Sequence, residues 1–231
     1  MLRRPLIIGL TGPNAAGKGE VAAALLRLGF NYHSLSDVVR EEARRRGLPP
    51  TRENLIRLGN NLRRRLGPGV LARRVARRLR GRDVVDSIRN PSEVEVLRGK
   101  RGFVLLGVDA PRRLRYLRSL RRGRPGDATS FREFVDKERR ENSRRGSAQQ
   151  LSRTLALADL KLTNDSSLRA LETRVRRVMA ALIAACGGAP AARTPARAAR
   201  QPETRRYGRT RRSPSPPARR PRAGRRTTAR A

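Results

Sequence analysis

The chain has one cysteine, Cys186, one histidine, His33, and no tryptophan, and aromatic residues make up 3% of its 231 positions. A single cysteine excludes an internal disulfide and a Cys-based metal cage. A single histidine excludes His-cluster sites, so any Ser-His-Asp chemistry would have to run through His33, which reads more simply as a polar residue near a strand end. Few aromatics leave few stacking platforms for single-stranded nucleic acid. No apolar run approaches the ~20 residues of a membrane span. The opening MLRRPLIIGL imitates a signal peptide, but its apolar run is too short and leads straight into Gly-Pro-Asn. These absences leave a cytoplasmic, enzyme-like domain as the expectation.

Acid is scarce as well: Asp+Glu number 19 against 56 Lys+Arg, a formal charge of +37. Such a balance points to nucleic acid or another anionic partner, and bears on partners rather than on fold. Only Lys18, Lys100, Lys137 and Lys161 are lysines, leaving 52 Arg. So lopsided a preference arises from coding bias as readily as from selection for a binding face.

Composition divides the chain near Gly187. From there on, large apolar side chains almost vanish, and 14 Arg against one Glu place +13 of the +37 in the tail. Such a segment cannot bury enough surface to offset chain entropy. Residues 187–231 are therefore expected to be a disordered, Arg/Pro-rich basic tail. Its RRSPSPPARRPR stretch suits non-specific nucleic acid or no specific partner at all. Residues 1–186 are expected to fold as one domain.

Within that domain, short apolar runs alternate with helical patterns. LIIGL, NYHSL, RDVVDS, FVLLGVD and LKLTN read as strands. Between them come helices with recognisable starts. Ser36 is expected to cap SDVVREEARRRG, and Thr51 the helix beginning RENL. Pro68 is expected to open GVLARRVARRLRG from the first turn, the helical position proline tolerates. Asn90 with Glu93, and Ser130 with Glu133, form capping boxes, and a last helix runs from Ser167 to about Ala185. Alternation of this kind predicts an α/β fold, a parallel sheet with helices on both faces.

Between the first strand and first helix lies TGPNAAGKGE. Gly12, Gly17 and Lys18 fit G-x-x-x-x-G-K in the strand–loop–helix context that the phosphate-binding loop requires. Glycines let successive backbone N–H groups turn toward phosphate oxygens. The helix start adds its positive end, and Lys18 supplies a point charge. The loop predicts nucleotide contacts from Gly12, Pro13, Asn14, Ala15, Ala16, Gly17, Lys18, Gly19 and Glu20. Gly19 stands where a Ser or Thr usually meets magnesium. Glu20 either approaches the metal or is an ordinary first-turn acid favoured by the helix dipole.

GKG in place of GKS resembles the adenylate-kinase branch of P-loop kinases, and the likeness continues. SLSDVVRE resembles the nucleoside monophosphate kinase segment in which Ser/Thr-Gly-Asp leads into a helix bearing an acceptor-binding Arg. The match implies that Arg40 grips the acceptor phosphate, with Asp37 nearby. VVDSIRNPSEVE resembles the Asp-Gly-Phe-Pro-Arg element of those kinases, one residue shorter, which implies a magnesium-organising Asp86 and a phosphate-binding Arg89. Over residues 6 to about 182 the chain resembles an archaeal adenylate-kinase-like or dephospho-CoA-kinase-like family, at GKGEV, SDVVREEARRRGL, GPG and ADLKLTNDSSL. The last stretch also resembles dephospho-CoA kinase, where an Asn near a strand end lies by the ATP base, which implies Asn164. The loop departs from these patterns in being less Gly-rich and in having Glu20 for Thr.

The resemblance implies a P-loop NTPase three-layer sandwich using ATP and Mg²⁺ on a small nucleotide-like acceptor, a nucleoside monophosphate or dephospho-CoA. Residues 118–146 read as a small helical lid whose Arg clusters flank GRPGDATS. Arg118, Arg122, Arg124, Arg139 and Arg140 are its candidates by position, with Arg122 and Arg139 as the catalytic pair beside Lys18. Asp37 serves as base if the acceptor is a hydroxyl, binds metal-bound water if it is a phosphate, or merely caps its helix. The alternative function is a nucleic-acid-associated NTP-binding protein without a small-molecule acceptor.

Overall fold

The five apolar runs become β1 (Leu6–Thr11), β2 (Asn31–Ser34), β3 (Arg82–Ile88), β4 (Phe103–Asp109) and β5 (Leu160–Thr163). All pair in parallel, in the order β2-β3-β1-β4-β5. The helices are α1 (Lys18–Arg27), α2 (Leu35–Arg45), α3 (Arg52–Leu66), α4 (Val70–Ala76), α5 (Pro91–Arg98), α6 (Arg112–Arg122), α7 (Phe131–Arg140), α8 (Leu151–Ala156) and α9 (Leu168–Ala185). The computed structural model describes residues 4–124, 126–142 and 148–187. The expected basic tail lies outside the described residues except for Gly187, as do residues 125 and 143–146 of the expected lid. No helix among the described residues is long and apolar enough to cross a membrane.

Alternation along the strands builds two cores. Leu6, Ile8 and Leu10 of β1 face α1 and α9, packing with Val21, Leu25, Leu171 and Met179. Ile7 faces the opposite side with Val85 and Leu105, against Val39, Leu58, Leu71 and Leu97. Successive side chains on a strand point to opposite faces. A central strand covered on both sides is therefore apolar throughout, and β1 is buried at every position. This is the α/β P-loop NTPase architecture, helix layers sandwiching a parallel sheet.

Several helix starts match expectation, and three differ. Ser34, not Ser36, caps α2, its Oγ accepting the Ser36 N–H at 3.2 Å. Both serines can cap, but Leu35 is 1% exposed, and burying it starts the helix earlier. Gly69 rather than the Pro68 region opens α4, leaving proline outside the helix. Ser130 caps α7 as expected, but Glu133 reaches back to the Thr129 N–H at 2.8 Å instead of to the cap residue. The Asn90–Glu93 capping box of α5 is complete.

The scarce acids serve as hubs for arginine. Glu42, 5% exposed, pairs with Arg45, Arg46 and Arg74, and the Arg45 hydrogen bond leads in holding its carboxyl down to about 2. Glu138 takes Arg112 and Arg115, tying α7 to α6. Glu93, fully buried, binds the Arg63 guanidinium at 2.8 and 2.9 Å and accepts the Arg89 and Asn90 N–H groups. A buried charge must be paired and hydrogen-bonded in this way to be tolerated.

Candidate active site

Chain leaving β1 returns through β2 on the β3 side of the sheet, whereas chain leaving β4 returns as β5 on the other. The carboxyl ends of β1 and β4 therefore border the crevice where doubly wound sheets bind ligands. Gly12 opens the loop there. A Cβ on it would lie 2.0 Å from the Val108 carbonyl of β4, so only glycine lets the loop leave β1 at this angle. Ala15 takes a left-handed φ of 58° and Gly17 one of 104° before α1 begins. Strain held at a loop of this kind is a mark of functional sites.

Lys18 folds back over the loop, donating to the carbonyls of Gly12 and Pro13 at 2.8 Å each. Both acceptors are neutral. Burial pushes its ammonium from 10.5 down to about 8, Asp86 opposes the shift, and Arg89 adds to it. The loop thus holds a cation short of a counter-anion, which is what a polyphosphate site requires. Gly19 is exposed, and a Cβ there would meet nothing within 4 Å. Glu20 is an exposed acid in the first turn of α1.

Asn164, beyond β5, is 5% exposed and braces the loop. Its Nδ2 donates to the Ala16 carbonyl at 2.9 Å, and its N–H to the Asp109 carbonyl at 2.7 Å. Arg118 of α6 donates to its carbonyl and its Oδ1 at 3.0 and 3.2 Å. The structure places this residue under the loop, with its side-chain amide used by protein.

At the end of β3, Thr11 Oγ1 donates to the Ile88 carbonyl at 3.0 Å where the β1–β3 register shifts. Asp86 accepts from the Tyr32 hydroxyl at 3.1 Å and from the Ser87 N–H at 2.6 Å. Burial, with the Asp86 charge second, raises Tyr32 above the usual phenol range, so it stays a donor. Each carboxylate oxygen keeps a free lone pair after one such bond, and Asp86 lies within electrostatic reach of Lys18. These features fit a role in organising magnesium. Among the described residues no three His, Cys, Asp or Glu side chains cluster as a metal cage.

The remaining candidates divide. Asp37 and Arg40 pair with each other at 2.6 Å on α2, both side chains half exposed. Arg122 reaches Asn14 of the loop at 3.4 Å and Asp127 at 2.9 Å. Arg89 donates to Glu141 at 3.4 Å and Gln149 at 3.1 Å. The structure does not bring Arg139 to the loop: it is 79% exposed and pairs with Asp136 on its own helix.

Residues 11–130 match the model of an AAA domain. A UPF0200 protein of Hyperthermus butylicus is 38% identical over 77% of this chain and 95% of its own length. One from Aeropyrum pernix is 40% identical over 80% and 97%. The chain belongs to the UPF0200 family. The crystal structure of TT1252 from Thermus thermophilus is 25% identical and superposes with a TM-score of 0.52, covering 78% of this chain and 98% of that one.

Two residues of this UPF0200 chain enter the site without a motif to announce them. Arg52, first residue of α3, pairs with Glu141 just beyond α7 and lies 3.6 Å from Asp127. One arginine among 52 carries no signal. Glu141 carries none either, as one of four acids in FREFVDKERRE.

Proposed function

We propose that this protein is an ATP-dependent phosphotransferase that moves the γ-phosphoryl group of ATP to a nucleotide-like acceptor, a nucleoside monophosphate or dephospho-CoA. The observation that carries the proposal is Lys18, a partly buried ammonium bonded to neutral carbonyls and bordered by Asp86 of the neighbouring β3 and by Arg89 just beyond it. Phosphoryl transfer needs little covalent help from a protein; it needs alignment and positive charge around the moving group.

Each residue then has a task. The loop from Gly12 to Gly19 binds the donor phosphates, and Lys18 neutralises charge on them. Asp86, held by Tyr32 and its neighbour's N–H, orients the metal shell. Mg²⁺ when bound neutralises phosphate charge and aligns the donor. Arg122, already on Asn14, brings charge from the lid segment. Arg40 and Arg89 face the acceptor, and Asp37 either orients an acceptor hydroxyl or releases Arg40 to an acceptor phosphate. Asn164 holds the loop's shape.

The test is ATP consumption with Mg²⁺ against each nucleoside and deoxynucleoside monophosphate, dephospho-CoA and no acceptor. Lys18→Ala and Arg40→Ala run beside the wild type. Turnover with one acceptor, lost in both variants, is expected. Slow hydrolysis indifferent to every acceptor and to Arg40 would overturn the proposal.

A further inference from the structure

Beside the phosphate loop, two arginines from distant parts of the chain converge on one carboxylate. Glu141 is 5% exposed, accepts from Arg52, and accepts from Arg89 at 3.4 Å. The arginines remain about a third and a quarter exposed, at 32% and 26%, so their outer edges face open space. Both Arg89 and Glu141 lie close enough to Lys18 to act on its charge. The backbone around Arg89 is fixed on both sides: its N–H donates to Glu93 at 2.9 Å, and its carbonyl accepts from Gln150 at 2.8 Å. Arg52 is steered by a second acid, Asp127, which also holds Arg122. Arg52, Arg89 and Arg122 thus share two carboxylates at the mouth of the loop.

A carboxylate and a phosphate present similar oxygen pairs to a planar guanidinium fork. An arginine pair aimed at one spot, held by an acid donated from the lid segment, is an anion site filled from within. We infer that Arg52 joins Arg89 in gripping the phosphate of the acceptor, and that Glu141 holds both arginines until that phosphate displaces it. The inference rests on the phosphotransferase proposal and deepens it: it adds Arg52 as a second grip on the acceptor's phosphate and Glu141 as the group that phosphate displaces. Because Glu141 ends the α7 segment, its displacement couples acceptor arrival to release of the lid segment from α3 and β3.

The test titrates the full chain with inorganic phosphate by calorimetry, with a non-hydrolysable ATP analogue and Mg²⁺ at saturation to fill the loop. Wild type, Arg52→Gln, Arg52→Lys and Glu141→Gln are compared, each checked for cooperative melting. Removing one charge-assisted bond should weaken phosphate binding about tenfold in Arg52→Gln, with partial recovery in Arg52→Lys. Removing the internal competitor should tighten it about tenfold in Glu141→Gln. Phosphate affinity indifferent to Arg52, or not raised in Glu141→Gln, overturns the inference. If Glu141→Gln does not melt cooperatively, the two Arg52 variants decide alone, since that side chain is partly exposed. The analogue titration judges the phosphotransferase proposal separately: failure of wild type to bind it sinks that proposal, whereas the phosphate series still judges Arg52.

Discussion

Asn164 and Gly17 are fitted to each other. Asn164 Nδ2 donates to the carbonyl preceding Gly17, and a Cβ on Gly17 would lie 2.2 Å from that same nitrogen. The loop's shape is thus set from outside, by a side chain 148 positions away.

Gly17→Ala meets both this overlap and a φ of 104°. Asn164→Ala removes the side-chain donor to the Ala16 carbonyl and one of the two bonds that Arg118 makes to residue 164, leaving the one to its backbone carbonyl. Each is expected to lose about 1–3 kcal/mol of unfolding free energy, the cost of orphaning a buried polar group or straining a backbone. Denaturant titration reads that loss, and ATP affinity should fall with it. Unchanged ATP affinity in a folded Asn164→Ala protein would show that the loop keeps its shape unaided.

Lys18 gives the site a pH dependence. Its ammonium titrates at about 8 in the free protein, and phosphate binding must raise that value. Above pH 8 the free protein has lost the proton that the complex needs. ATP affinity should therefore fall by up to tenfold per pH unit from about pH 8 upward, with net proton uptake on binding. Calorimetry in buffers of different ionisation enthalpy measures the uptake. Stability runs the opposite way. Between the folded value of about 8 and the unfolded 10.5, the unfolded chain binds more protons, so this group makes the fold more stable as pH rises. Lys18→Met should remove both trends.

Gly19 has room for a larger residue, since a Cβ there would touch nothing within 4 Å. Gly19→Thr should fold with stability within about 1 kcal/mol of wild type, helix propensity being the only term it changes. Its hydroxyl stands where P-loop enzymes usually meet magnesium. The Mg²⁺ concentration for half-maximal activity should drop. An unchanged requirement would mean that Asp86 and the substrate phosphates already define the metal shell.

Arg63 and Glu93 are 3% and 0% exposed, and together they fix the backbone at Arg89. Arg63→Ala strands a buried carboxylate and is expected to cost about 3–5 kcal/mol. Thermal melting reads that cost. Arg63→Met, longer and apolar but equally unable to neutralise Glu93, should not restore it.

The sheet was legible because its strands are short, apolar and separated by helices with Ser, Thr or Asn at their starts. Thr51, Asn90 and Ser130 cap where their chemistry predicted. Ser34 was missed because SLS offers two caps, and only the burial of Leu35 chooses between them. α8 went unread because six residues show too little period. The loop was plain from glycine spacing, since a backbone cradle needs glycine at fixed positions. The pairing of Arg52 with Glu141 spans 89 positions and no local pattern encodes it. Arg139 illustrates the same limit from the other side: position in the lid suggested a role, and the helix turns it to solvent.

With nearly three cations for every anion, the ion-pair hubs have an asymmetric tolerance to drift. Replace Arg45, and Glu42 still has Arg46 and Arg74; replace Glu42, and three guanidinium groups are left facing one another. The same holds for Glu138 and Glu141. Substitution should therefore spread more freely through the arginines around Glu42 and Glu138 than through those two carboxylates, so that at these hubs the rarer charge becomes the harder to exchange.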